Sequence, residues 1–196
     1  MQPTTPDRSA RRSRFGWVMY DWANSAYSTA FATAFMPLLW AGFFMPPEGV
    51  QFLGRTVAPD AAWSFLVAFA ALLVLLIAPT LGAAADMAGA KKRLLMIFCY
   101  VGVAAAAPVA LCGQGSYALV AGLFIVAHVG FIGANVFYDA FLPDLASASE
   151  QDRLSSRGFA YGYVGGGLQF ALASVLVMLH DDKLWAMRVG LLTAAV

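Results

Sequence analysis

Apolar residues run along the chain in long unbroken stretches instead of alternating, and polar residues collect in the short gaps between them. A bilayer core about 30 Å thick takes roughly 20 residues of helix at 1.5 Å rise each. Five stretches approach or exceed that length, at 15–44, 63–85, 94–112, 117–140 and 158–179, and a sixth runs from Leu184 to Val196. Spans of a transmembrane β-barrel would alternate over about ten residues, so continuous runs disfavour that class. The pattern predicts an all-α, polytopic membrane helix bundle. Residues 1–14 form a polar tail and 15–196 the transmembrane bundle, whose sixth helix, 184–196, is too short to cross and is expected to be incomplete. A cleaved secretory signal is disfavoured, because its apolar core is typically 7–15 residues and the first stretch is about twice that.

The gaps at 86–93 and 113–116 read as tight hairpin connections. Residues 45–61, rich in Pro and Gly at their start, make the longest loop on one side, with a short amphipathic piece through Val50, Phe52 and Leu53. Residues 144–157 make the longest loop on the other side, after Pro143 ends the preceding helix. No gap is long enough for a second, water-soluble domain.

Composition sharpens the class. The chain is 61% hydrophobic and 12% charged, and its formal charge of +1 offers no basic surface for nucleic acid. Where the charges sit matters more. One side holds Arg8, Arg11, Arg12, Arg14, Lys91, Lys92, Arg93, Arg153 and Arg157, the other only Arg55 and Lys183, and Arg188 falls inside the sixth segment. Nine against two puts the N-terminus in the cytoplasm, with a bacterial inner membrane as the expected location. Cys99 and Cys112 form no redox or metal spacing. Aromatic residues, among them Trp17, Tyr20, Trp22, Trp63, Tyr138 and Trp185, fall near span ends, as interfacial belts do.

Polar groups within spans mark the interior. An acid at mid-span costs about 2.5–3.5 kcal/mol on insertion scales and needs a partner, a cavity or the interface. In the first span Tyr20, Asn24 and Tyr27 share one face, while Asp21, Ser25 and Ser28 share the next. That arc reads either as anchoring and packing or as a solute-contacting face. In the fourth, His128, Asn135 and Asp139 stand at i, i+7 and i+11, a polar line toward the cytoplasmic end. His128 reads as a hydrogen-bonded packing residue or as a proton- or solute-binding one; Asp139 reads as a partner for loop cations such as Arg93 or Arg157. The fifth span carries Gly158, Gly162 and Gly166 at spacing four, a close-packing face, with Gln169 a cavity residue at mid-depth. No Walker lysine follows these glycines, and neither H-E-x-x-H nor G-x-S-x-G occurs, so no enzyme chemistry, cofactor or metal is indicated.

Between the second and third spans lie Gly82, Asp86, Gly89, Lys91, Lys92 and Arg93. Gly, three residues, Asp, two residues, Gly and then a basic cluster resembles the signature loop of the major facilitator superfamily. Ala90 stands where a basic residue is common. The chain is most similar to the Atg22-like branch. The resemblance rests on this loop, on the string from Gly16 through Tyr20-Asp21-Trp22-Ala23-Asn24-Ser25-Ala26-Tyr27, on Asn135 to Ala146, and on Ser156 to Gly167.

The resemblance implies the amino-terminal six-helix half of a secondary transporter that moves small solutes, amino-acid-like ones included, by alternating access. It implies a gate built from Asp86, and from Lys92 or Arg93 with Asp139. The pathway candidates are Asn24, Tyr27, His128, Asn135 and Gln169. Besides the lipid bilayer and the solute, the expected partner is a missing carboxy-terminal half, a separate half-size protein or a second copy. The alternative function is a non-transporting membrane scaffold that keeps the half-transporter fold.

Overall fold

The computed structural model describes residues 8–195, and for residues 84–88 it describes the backbone but not the side chains. The chain is a bundle of long helices joined by short turns. α1 (Arg8–Ala26) continues without interruption through wide π-helical turns at Tyr27–Phe35, a short α2 (Met36–Leu39) and a second π-helical piece at Trp40–Phe44. Pro37, at the start of α2, has no N–H to donate. The wider turns on both sides absorb that defect, with the Met36 N–H reaching back five residues to Phe31. Then come α3 (Pro59–Ala88), α4 (Lys91–Ala106) with a 3₁₀ extension to Leu111, α5 (Tyr117–Ala140), the single turn α6 (Leu142–Leu145), α7 (Ala148–Leu179) and α8 (Lys183–Ala195).

Four helical segments among the described residues are long and apolar enough to cross a membrane: Pro59–Ala83, Lys91–Leu111, Tyr117–Leu145 and Ala148–Leu179. Their outer faces carry large exposed side chains such as Phe65, Leu75, Leu76, Tyr100, Leu172 and Met178. Apolar exposure on this scale fits lipid, not water. The interior is filled by Phe31, Met36, Phe44, Phe124, Phe137 and Leu191, and no polar or charged residue is buried among the described ones.

One expectation gains detail and one needs correction. The 45–61 loop holds a β-hairpin, β1 (Val50–Phe52) against β2 (Arg55–Val57), and the short piece through Val50, Phe52 and Leu53 forms its first strand and turn. Leu53 and Gly54 both take positive φ, the geometry of a two-residue hairpin turn. Residues 144–157 are almost wholly helical: α7 begins at Ala148, ten residues before the expected span. Ser147-x-x-Glu150 is a helix-start signature, and here the Ser147 hydroxyl donates to the Glu150 carboxylate at 3.0 Å.

Helix contacts are set by glycine. Where α4 crosses α5, a Cβ on Gly130 would lie 2.6 Å from the Gly102 Cα and 2.8 Å from the Phe98 carbonyl oxygen. Two backbones touch there, which no larger residue allows. At the hairpin end the Gly115 N–H donates to the Phe43 carbonyl, and Arg188 donates to the Cys112 carbonyl at 2.7 Å with its guanidinium over Phe43. The sixth segment's cation therefore turns toward loop carbonyls.

Gly130→Ala should lower the thermal midpoint in detergent by the equivalent of about 1–3 kcal/mol, the cost of overpacking. Gly122→Ala, on the same helix with nothing within 4 Å of the new methyl, should leave it unchanged. Fluorescence-detected size exclusion after heating compares the two.

Candidate functional site

α7 lays its glycine face on α1. A Cβ on Gly162 would come 2.6 Å from the Ser25 hydroxyl and 2.9 Å from an Asp21 carboxylate oxygen, and one on Gly166 would come 2.7 Å from the Ser25 carbonyl. Gly158 sits against Trp17 and Tyr138, and Gly165 against the Trp22 backbone. Side chains at these positions would hold the helices apart, so the glycines decide how far α1 sinks into the bundle. Sunk to that depth, the polar arc of α1 meets the polar line of α5.

The meeting point is an amide pair: Asn24 Nδ2 donates to Asn135 Oδ1 at 2.8 Å. Two clefts lie on either side of it. The first, about 130 Å³, is lined by Asn24 and Tyr27 together with Tyr20, Cys99, Phe131 and Ala194. The second, about 170 Å³, is lined by Asn135, Asp139 and Asp21 together with Trp17, Tyr138 and Ser155. Asn24 faces one and Asn135 the other, so their bond forms a septum. Three of the five sequence-derived pathway residues, Asn24, Tyr27 and Asn135, line these clefts.

His128 lines neither. Its ring stacks on Phe124 at 5.2 Å and Phe131 at 6.2 Å, with Tyr27 at 6.3 Å, and its Nδ1 is buried without a hydrogen-bond partner. Gln169 turns away from the clefts to α8, donating to the Thr193 hydroxyl at 2.8 Å.

The aromatic pair below the septum is not an interfacial belt. Trp17 and Tyr138 are buried, their rings stack at 4.3 Å and 8°, and the Trp17 indole donates to the Tyr138 carbonyl at 2.9 Å. Tyr20 stacks on the other side of Tyr138 at 5.1 Å. Such stacking adds about 0.5–1.5 kcal/mol per pair beyond area burial, which favours one fixed arrangement of α1 and α5 at this depth.

The same end of the bundle carries its ion pairs. Lys91 Nζ lies 2.9 Å from Asp144 and donates to the Ala140 carbonyl at 3.1 Å, tying the start of α4 to the end of α5. Arg14 forks onto Glu150 and donates to the Leu145 carbonyl at 2.7 Å, tying α1 to α6 and α7. Asp139 has no hydrogen bond or ion pair among the described residues, so the partnership expected with Lys92, Arg93 or Arg157 is replaced by Lys91 with Asp144. Lys92 and Arg93 are exposed. Gly89 takes φ +58° and ends α3, the turn its position in the loop requires. Gly82 has open space around it, and the Asp86 side chain lies outside the described residues.

Comparison with known proteins bears on this arrangement. A family model described as "Vacuole effluxer Atg22 like" matches residues 9–196. The chain belongs to the Atg22-like family. A relative is described as an uncharacterized MFS-type transporter, YxiO, of Bacillus subtilis (strain 168); it is 35% identical over 168 residues, 85% of this chain and 38% of that protein. The Atg22-like chain thus spans well under half the length of the curated relative it matches. No solved structure matches it.

In this Atg22-like chain, periodicity alone missed that Asp21 and Asp139 share a cleft. Each was legible on its own helix, but which faces meet depends on how α1 and α5 rotate, and the glycines of α7 set that.

The septum is testable by a double-mutant cycle. Asn24→Ala and Asn135→Ala should each lower stability, and the double variant should cost less than their sum by about 0.6 kcal/mol, a usual interhelical bond in membranes. Unfolding in bicelles measures it; strict additivity would mean the bond is not made.

Proposed function

We propose that this chain forms the amino-terminal wall of a secondary transporter that carries small solutes by alternating access, without covalent chemistry. The observation that carries the reading is the amide septum dividing two clefts along one polar seam, inside helices whose outer faces are apolar. A pathway for a polar solute needs polar side chains turned from lipid toward a common axis, and a point at which passage is blocked. Asn24, Tyr27 and Asn135 would line that pathway, His128 would brace it through its aromatic contacts, and Gln169 would fix α8 to α7.

In this reading the helices form the six-helix first half of the facilitator fold. The arginine-rich start of α1 and the Lys91–Arg93 cluster lie in the cytoplasm of a bacterial inner membrane, which the nine-to-two distribution of basic residues supports. The opposing wall comes from a second half, a separate half-size protein or a second copy. The relative's greater length supports the first. The family resemblance assigns the gate to Asp86 of the α3–α4 connection, together with the cations at 91–93 and Asp139.

Reconstituted with its opposing wall in liposomes, the protein should exchange internal and external solute. Asp86→Asn should slow that exchange about tenfold at unchanged protein level, and substrate binding should stay within twofold. Exchange at the wild-type rate would remove the gate, and no flux of any solute by a folded complex would favour the scaffold.

A further inference from the structure

The β-hairpin between the first helix and α3 lines neither cleft, and its two faces differ in kind. Side chains of a strand alternate between faces. Gln51 and Thr56 make up one, where the Gln51 amide donates to the Thr56 hydroxyl at 2.6 Å. Val50, Phe52, Arg55 and Val57 make up the other. Val50 packs against the main hydrophobic core, so this second face is the one turned toward the bundle. Phe52 stands two residues further along the same face, yet it is 65% exposed. The hairpin therefore runs out past the edge of the protein beneath it.

The turn sharpens the contrast. Its central residues are Leu53 and Gly54, with φ +50° and +76°. Such turns favour Asn, Asp or Gly at the first place, because a bulky side chain resists positive φ. Here that place carries a leucine, 88% exposed. A side chain that the backbone disfavours and that water disfavours too is accounted for by an apolar medium around it.

Position says which medium. The hairpin leaves the π-helical piece that ends at Phe44 and enters a membrane-crossing segment at Pro59, and the Trp40 indole ties these ends together by donating to the Pro59 carbonyl at 3.0 Å. Three-residue strands extend about 10 Å, and the headgroup layer is roughly 5–7 Å deep on each side. A hairpin resting its valine face on the bundle stays inside that layer at the rim. Below the rim lies the apolar exterior of α3, the least buried of the four spans, with Phe65, Phe69 and Leu72 exposed near its start. Arg55 is the one charge from Gln51 to Thr56 and pairs across the strands with Phe52. A cation beside apolar side chains at this depth suits lipid phosphate above acyl chain.

We propose that the hairpin is a membrane anchor: Phe52 and Leu53 insert into the leaflet opposite the arginine-rich end of α1, and Arg55 sits on phospholipid phosphate. Gln51 and Thr56 face the water. The anchor concerns the bilayer alone and stands or falls apart from any transport role.

Spin labelling of the full chain in nanodiscs of phosphatidylethanolamine and phosphatidylglycerol tests it. Gln51→Cys, Phe52→Cys and Leu53→Cys are labelled one at a time, with Cys99 and Cys112 replaced by Ala. In power saturation, labels at 52 and 53 should favour oxygen over a water-soluble nickel chelate by about threefold or more, as apolar depth requires, and the label at 51 should favour the chelate. Arg55→Gln should shift the label at 53 toward the chelate by about twofold. A label at 53 as open to the chelate as that at 51 would place the turn in water. Shelter from both reagents would mean that protein covers it, and an unmoved label in Arg55→Gln would remove the phosphate contact; each result overturns the anchor. Where a cysteine disturbs the turn, the wild-type chain decides, by photocrosslinking to a phospholipid with a diazirine high in its acyl chain. Adducts at Phe52 or Leu53 are expected, and adducts on α3 with none on the hairpin would overturn the proposal.

Discussion

The approach of α7 to α1 is the constraint on which the rest of the bundle depends. Lipid supplies no hydrophobic force to press two helices together, so contact must come from shape and from polar bonds. Gly158, Gly162, Gly165 and Gly166 supply the shape, leaving room for Trp17, Asp21, Trp22 and Ser25 where side chains would otherwise stand. With α1 seated at that depth, Asn24 reaches Asn135 and Trp17 reaches Tyr138. A bulkier face on α7 would push α1 outward and leave those amides and the indole unsatisfied in an apolar medium.

Polar residues consequently fall into two kinds. Those at the basic end are tied down by charge: Arg14 to Glu150 and Lys91 to Asp144 join chain segments more than fifty residues apart. Exposed pairs of this sort contribute about 0–1 kcal/mol each, so they fix register more than they stabilise. Those deeper in the bundle, such as Asn24 and Asn135, are held by packing and by neutral hydrogen bonds. Asp21 is half-buried and Asp139 exposed beside the second cleft, and neither has a hydrogen bond or ion pair among the described residues.

Much of this was legible along the sequence, because lipid writes a strong signal. Continuous apolar runs located α3, α4, α5 and α7, and spacing four picked out the glycines that face α1. Weaker signals were lost. The early start of α7 was hidden by its polar first turns, and only Ser147 and Glu150 announced it. The hairpin at Val50–Val57 has strands of three residues, too short for alternation to be seen, with Gly49 and Gly54 as its only marks. His128, Asn135 and Asp139 do lie along one helix, yet Asn135 and Asp139 reach the cleft while His128 is enclosed by rings. A helical face in sequence is broad, and the neighbouring helix decides which part of it opens onto space.

Disulfide trapping in native membranes tests the α1–α7 seam most directly. In a background with Cys99 and Cys112 replaced by Ala, the pair Ser25→Cys with Gly162→Cys brings two thiols within bonding range, since a Cβ at 162 stands 2.6 Å from the Ser25 oxygen. The pair Ser25→Cys with Gly167→Cys does not, because nothing approaches Gly167 within 4 Å. Mild oxidation should crosslink the first pair nearly completely within a chain and leave the second reduced. Equal trapping of both, or of the second alone, would contradict the seam and with it the depth at which α1 meets α5.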